Sequence, residues 1–200
     1  MKTTRRQFLQ TTGAGLALSA FPTQADPKSP NLLFILVDQH RAMDLHSAGN
    51  TALITPNIDQ LAREGTRFEN AIANCPLCTP SRATLLTGKY PIAHRCVSND
   101  LPLPTDQETL ATVLSRDGYK TGYIGKWHLD GISRHKFTPP GPRRQGFNDY
   151  WAVYNCNHNY YKTKYFLDTP ELIERDGYEP NIQTDLGIDF LRKHRSDRFF

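Results

Sequence analysis

Asn31-Leu32-Leu33-Phe34-Ile35-Leu36-Val37-Asp38 is the stretch that decides the fold class. An unbroken apolar run of strand length, closed by a carboxylate, reads as a strand buried on both faces, as in parallel sheets. Outward from it, strands and helices alternate. Thr55-Pro56 opens a helix, with Thr at the N-cap and Pro at the first helical position. Ile58, Leu61 and Ala62 keep helical spacing, and Gly65 ends the segment. Thr66 to Asn74 is expected to be a strand leading into a cysteine segment. Beyond Pro104, Thr105 and Glu108 have capping-box spacing. Leu110, Val113 and Leu114 form the apolar stripe of that helix, and Gly118 closes it. Tyr119 to Ile124 reads as a strand, followed by Gly125-Lys126-Trp127-His128. The proline-rich and basic stretch from Ile132 to Gly146 reads as a loop, and Asp185 to Lys193 as a helix. Arg198-Phe199-Phe200 resembles the start of another strand, so the sequence is expected to stop in mid-domain. Strand, helix, strand, helix, strand predicts an α/β domain whose mostly parallel central sheet is flanked by helices.

The chain of 200 residues is 38% hydrophobic and 22% charged, the balance of a soluble globular protein. No stretch approaches the ~20 apolar residues of a membrane span. Residues 1–25 have a different composition. Lys2, Arg5 and Arg6 precede a weakly apolar Thr11–Phe21 and a small-residue site ending at Ala25, with Ala20 as an alternative cleavage point. The Arg5-Arg6 pair followed by Phe8-Leu9 has the pattern of a twin-arginine export signal. The chain thus divides into a signal over 1–25 and a domain portion over 26–200. The expected partner is the twin-arginine machinery, and the expected location is periplasmic or secreted. The net charge of +4 includes those three signal cations. Without them the chain is nearly neutral, which argues against a nucleic-acid surface.

Cysteines occur at 75, 78, 96 and 156. In an oxidising compartment four cysteines permit three connectivities, and spacing does not choose among them. Twin-arginine export carries folded protein, so cysteine chemistry needing cytoplasmic enzymes can be finished before export. Cys75-x-x-Cys78 alone also reads as half a zinc site or a redox pair, although no second pair at zinc spacing follows.

The chemistry concentrates in Cys78-Thr79-Pro80-Ser81-Arg82. Thr79 as N-cap and Pro80 as first helical residue would place Cys78 just before a helix N-terminus, where unpaired N–H groups and the helix dipole favour an anion. Arg82, four residues on, can reach the same end. A nucleophile, an anion site and a guanidinium within one turn suit a tetrahedral oxyanion such as sulfate or phosphate.

Pro76-Leu77-Cys78-Thr79-Pro80-Ser81-Arg82-Ala83-Thr84-Leu85-Leu86-Thr87-Gly88 resembles the first signature of the type I sulfatase family, in the alkaline phosphatase superfamily. Gly118-Tyr119-Lys120-Thr121-Gly122-Tyr123-Ile124-Gly125-Lys126-Trp127-His128 resembles the second. The resemblance implies an alkaline-phosphatase-like α/β fold and sulfate-ester hydrolysis. It implies that Cys78 is oxidised by a formylglycine-generating enzyme to an aldehyde, whose hydrated diol attacks sulfur and then expels sulfate as the aldehyde reforms. Asp38 matches the family's first metal carboxylate. Gln39 stands where many members have a second Asp, and its amide oxygen can ligate a hard cation with less charge. The implied metal set is therefore Asp38, Gln39 and the modified Cys78, with Ca2+ as first choice and Mg2+ or Mn2+ as second. Lys126 and His128 match positions that bind sulfate and assist proton transfer, with His128 as general acid or as donor to a formylglycine hydroxyl. In an extended segment Lys126 and His128 would face one side and Trp127 the other. Arg82 would neutralise and orient the reacting group.

Three readings are carried forward. The first is a sulfatase acting on a sulfated carbohydrate or an aryl sulfate. The second is a phosphodiester or phosphonate monoester hydrolase of the same superfamily, which Asp38-Gln39 leaves open. The third is an inactive N-terminal fragment with a binding role. Trp151 to Tyr161, rich in aromatics and amides, reads either as a packing segment or as a carbohydrate-binding loop. His40, His46 and His94 read as structural or surface groups, His94 being the nearest in sequence to the cysteine helix.

Overall fold

Two short strands form the centre of the chain. β1 (Gly122–Lys126) and β2 (Tyr150–Tyr154) pair in parallel, with Gly122 opposite Tyr150 and Lys126 opposite Tyr154. In the computed structural model residues 29–200 are described; the twin-arginine segment and its cleavage sites lie outside them. On the other side of β1, Lys120 N–H donates to Arg198 O at 2.7 Å and Gly122 N–H to Phe200 O at 2.8 Å. Residues 198–200 therefore do begin a parallel partner, as expected. Leu32 N–H donates to Phe199 O at 2.9 Å, which places the first apolar run beyond residues 199–200. The order across the sheet is thus 31–32, 199–200, 120–126, 150–154. A second sheet is the antiparallel pair β3 (Lys162–Tyr165) and β4 (Ile173–Asp176). It joins β2 through reciprocal bonds between Val153 and Phe166.

Five helices accompany the strands among the described residues: α1 (Pro56–Glu64), α2 (Cys78–Thr87), α3 (Pro91–His94), α4 (Leu110–Arg116) and α5 (Glu179–Lys193). α5 packs on β1 at unusually close range, and glycine permits it. A Cβ on Gly122 would meet the Phe190 ring at 2.9 Å, and one on Gly125 would meet Gln183 at 3.2 Å. The main core lies between α2, α4 and the two central strands. It gathers Ala83, Cys96, Leu103, Ala111, Trp127, Leu129, Phe147, Trp151 and Val153. Trp127 meets Tyr123 and Trp151 edge-on, with ring centroids 4.9 Å and 5.2 Å away. Each such pair adds ~0.5–1.5 kcal/mol beyond the area it buries. Arg144, buried in the loop between β1 and β2, stacks on Trp151 at 4.7 Å and donates to Thr138 O.

The structure corrects several sequence expectations. The run from Leu32 to Val37 is not a buried strand: it has no regular strand structure, and Leu33, Phe34 and Ile35 are 67%, 60% and 73% exposed. A doubly buried strand needs a ladder and two covered faces, and among the described residues only Phe199 bonds to its backbone. Thr66 to Asn74 is irregular rather than a strand. α1 forms where expected, yet Ile58 and Leu61 are exposed and Asp59 is its buried residue. Asp59 accepts from Ser47 N–H and Thr55 Oγ1, which fixes the turn before the helix. The capping box is one turn later than expected, at Thr109 and Thr112 rather than Thr105 and Glu108. The crossover between β1 and β2 is the expected loop with a 3-10 turn at Pro142–Arg144, not a helix. Trp151 to Tyr154 is a buried strand and so belongs to packing, while Tyr160 and Tyr161 are exposed. All four cysteines are free thiols.

Candidate active site

α2 presents Cys78 to a cluster drawn from three other segments. Cys78 is the first residue of the helix and Leu77 is its N-cap, so Thr79 does not cap as expected. Its hydroxyl is used across the fold instead. Thr79 Oγ1 donates to His128 O at 2.8 Å and accepts from Asp100 N–H at 3.2 Å. The cap is supplied from a distance, since Asn99 Oδ1 accepts from Thr79 N–H at 3.0 Å. One orphan donor of the helix end is thereby satisfied.

Lys126, the last residue of β1, reaches over this helix end. Its Nζ donates to Asp38 Oδ2 at 2.9 Å and to Cys78 Sγ at 3.3 Å. Arg82, buried one turn into α2, donates through Nη2 to Asp38 Oδ1 at 3.3 Å and through Nη1 to Lys126 O at 2.6 Å. Tyr123 steadies the same carbonyl, its hydroxyl donating to Lys126 O at 2.9 Å. Burial opposes the charge of Asp38, but the Lys126 and Arg82 cations outweigh it and hold the carboxyl below its ordinary range. Burial likewise opposes the Lys126 ammonium, and Asp38 outweighs it and raises the Lys126 pKa. Both therefore stay charged at neutral pH.

His128 is buried in the left-handed region, at φ 55°, so the extended alternation after β1 ends at Trp127. Trp127, expected on the side away from Lys126, is buried in the core. The His128 Nε2 lies 2.8 Å from Asp100 Oδ1, and Arg134 grips the same carboxylate through Nε at 2.9 Å and Nη2 at 2.7 Å. Asp100 is itself left-handed at φ 63°. Hydrogen bonds from Arg134, then from His128, depress its pKa far below the carboxylate range. Burial lowers the His128 pKa despite Asp100, so its ring is neutral at pH 7.

The structure thus brings Asp38, Cys78, Arg82 and Lys126 into direct contact and sets His128 beside them through Thr79. Gln39 adopts a left-handed backbone at φ 59° and is exposed, without a bond to this cluster. The described residues contain no group of three or more His, Cys, Asp or Glu side chains placed to hold a metal ion. Asp38 and Gln39 supply oxygen donors of the kind a hard cation takes, but two side chains are far fewer than the 6–8 oxygens of a Ca2+ shell. His94 is structural: its Nδ1 accepts from Cys96 N–H and its Nε2 meets Thr84 Oγ1.

Sequence reasoning missed Asn99, Asp100 and Arg134. Nothing in the order Ser98-Asn99-Asp100 marks a site, because its partners are 20 to 34 positions away. Cys156 was also missed. It is buried, which raises its thiol pKa, and its N–H donates to Arg134 O at 3.1 Å, which ties it to the segment that holds Asp100.

Comparison with known proteins gives one consistent result. The family model "Sulfatase" matches residues 30–200. The ulvan-active sulfatase of Formosa agariphila is 43% identical over 87% of this chain and 34% of its own length. The N-acetylglucosamine-6-O-sulfatase of Bacteroides thetaiotaomicron is 35% identical over 92% of this chain and 31% of its own. The crystal structure of the Bacteroides fragilis protein yidJ, a structural-genomics target assigned to the sulfatases, superposes with a TM-score of 0.80 at 30% identity. It covers 88% of this chain and 44% of that one. The chain therefore spans about a third of the length of the curated relatives it matches.

Proposed function

This chain belongs to the sulfatase family, and from that premise we propose that it carries the nucleophile half of an active site that hydrolyses sulfate esters. The observation that carries the reading is the Lys126 ammonium lying between Asp38 and Cys78 at the start of α2. A thiol and a guanidinium one turn apart on α2, a carboxylate and an ammonium, from three distant segments, converge there, at the end of β1 where open α/β sheets place their sites.

In this reading Cys78 is converted to formylglycine, whose hydrated form supplies an oxygen nucleophile for sulfur. A divalent cation, Ca2+ before Mg2+ or Mn2+, would be held by Asp38 and Gln39 with further donors outside residues 29–200, and would supply positive charge for the sulfate oxygens. The chain's own groups do the rest. The Lys126 ammonium binds a sulfate oxygen, and the N–H groups of α2 add to the positive end. The Arg82 guanidinium fixes Asp38 and the Lys126 carbonyl, and so orients the cluster. His128 exchanges a proton at its free ring nitrogen. A sulfated carbohydrate is the preferred substrate class, since one relative is named for an N-acetylglucosamine sulfate and another is ulvan-active. Residues 1–25 act as the twin-arginine signal of a periplasmic or secreted enzyme, and residues 26–200 form part of its catalytic domain.

The test uses the full-length protein co-expressed with a formylglycine-generating enzyme. The peptide containing Cys78 is expected to lose about 18 Da, the change from a thiol side chain to an aldehyde. The modified protein is expected to cleave an aryl sulfate or a sugar sulfate faster than a matched phosphodiester. Confirmed aldehyde with no turnover of any sulfate ester overturns the reading, and faster phosphodiester cleavage replaces it with the superfamily alternative.

A further inference from the structure

We propose that Asp100, clamped by Arg134, is the positioning residue that holds His128 in a single tautomer with its Nδ1 left as a proton acceptor. The proposal rests on the sulfatase reading for its kinetic consequence, and on geometry alone for the tautomer. Asp100 Oδ1 stands 2.8 Å from His128 Nε2. A carboxylate with two guanidinium N–H donors on it has only acceptor capacity to offer. The proton of the neutral ring must then sit on Nε2 to make that bond. Nδ1 keeps its lone pair. It is buried and has no hydrogen-bond partner among the described residues. Buried ring nitrogens are ordinarily satisfied, so the exception calls for an explanation, and beside the Cys78 helix end a catalytic role is the one that fits.

Three further bonds make the arrangement rigid. Asp100 N–H is fixed by Thr79 Oγ1, the His128 carbonyl accepts from the same hydroxyl, and Asn99 Oδ1 holds the adjacent Thr79 N–H. The carboxylate and the imidazole are therefore referenced to one residue, the immediate neighbour of Cys78. When a hydroxyl of the hydrated formylglycine at position 78 gives up its proton, the O–H bond breaks, an Nδ1–H bond forms, and the electron pair stays on the oxygen that bonds to sulfur as the ester alcohol leaves. The imidazolium that results faces a carboxylate 2.8 Å away. Arg134, 44% exposed in its side chain, keeps that carboxylate from turning toward solvent. The role is one of orientation and charge stabilisation, with Asp100 itself touching no reacting atom.

The experiment has two arms, both on the full-length protein. In the first, the protein is labelled with 15N-histidine and long-range nitrogen–proton spectra are recorded, with the His128 signals assigned by their loss in His128→Gln. Wild type is expected to show the Nε2–H form, and Asp100→Asn a mixture or the Nδ1–H form. An Nδ1–H form in wild type overturns the proposal even if no sulfate ester is ever turned over. In the second arm, Asp100→Asn is expected to lower kcat about 100-fold or more, as loss of proton-transfer catalysis does, with KM held within about threefold. Added to His128→Gln, the same change should cost nothing further, because groups acting as one unit are non-additive. Full additivity means Asp100 acts elsewhere and overturns the proposal. If Asp100→Asn fails to fold, Arg134→Gln serves in both arms, with the same tautomer change and a smaller kcat loss expected. Unchanged tautomer and kcat in folded Arg134→Gln would likewise overturn it.

Discussion

Thr79→Val probes the joint on which the site turns. Valine has nearly the shape of threonine, so the change removes a hydroxyl and leaves packing in place. The Thr79 hydroxyl donates to the carbonyl of His128 at 2.8 Å and accepts from the N–H of Asp100 at 3.2 Å. Those two partners are both non-glycine residues with left-handed backbones, at φ 55° and 63°. Such conformations cost roughly 1–3 kcal/mol each and persist only where the surroundings over-determine them. Each lost bond removes ~1 kcal/mol, and a buried group left unpaired costs ~1–3 kcal/mol. Because Asp100 is partly exposed and can recruit water, the total is about 2–4 kcal/mol, most of it at the His128 carbonyl. At ~2–4 °C per kcal/mol for a unit of this size, Tm falls by about 5–15 °C. Thr79→Ser keeps the hydroxyl and loses only a methyl, worth ~1 kcal/mol. The assay is urea and thermal unfolding of the three proteins followed by circular dichroism. A valine variant within about 0.5 kcal/mol of wild type, the usual range for inconsequential substitutions, would refute the reasoning. So would a serine variant less stable than the valine one.

Gly146→Ala should prevent folding or lower stability by several kcal/mol, because its Cβ would lie 2.4 Å from the Thr112 backbone nitrogen at φ +97°; expression yield and Tm report it. Trp127→Ala should cost ~3–5 kcal/mol by emptying the centre of the aromatic cluster, measured by denaturant midpoint. Stability should fall on acidification in two stages. Burial lowers the pKa values of His94 and His128, so the unfolded chain takes up their protons first as pH drops through ~6.5. Asp100, held low by Arg134 and His128, contributes stability that is present above ~4 and is lost as pH falls further. A Tm-against-pH series checks both, and Asp100→Asn should make the second stage smaller, leaving the part due to other low-pKa carboxylates such as Asp38 and Asp149. Lys126→Met should leave Tm nearly unchanged, since it removes a partner of a partly exposed Asp38. It should lower sulfate-ester kcat/KM ~100-fold or more, the scale of losing a charged transition-state donor.

Much of this was legible in the sequence, and what was not has identifiable causes. β1, β2's aromatic packing, the helix after Pro56 and the 185–193 part of α5 follow local rules of spacing and punctuation, whereas the first turns of α5 from Glu179 do not stand out in the sequence. Leu32 to Val37 was misread because hydrophobicity signals a wish to be covered, and among the described residues the covering is absent from both faces. Thr79 was misread for the opposite reason. Its local role as a cap competes with a tertiary acceptor, the His128 carbonyl, and the tertiary bond wins. Cys78, Arg82 and Lys126 could be picked out because their chemistry is written into two compact signatures. Asp100 and Arg134 could not, since a carboxylate in a Ser-Asn-Asp turn and an arginine in a basic loop look like ordinary surface residues until the chain folds.

The sheet order also bears on the timing of synthesis. β1 is bordered on one side by residues 198–200, and those in turn by residue 32, so the middle of the sheet is closed by the two remote ends of the described chain. At ~5–20 residues per second on the ribosome, Asp38 emerges several seconds before Lys126, and Lys126 several seconds before its neighbours at 198–200. Until Lys126 emerges, the Cys78 segment exists as nascent chain with its carboxylate companion but without its ammonium. Any enzyme that must reach this thiol in an open backbone therefore has a window of seconds before residues 198–200 can border β1.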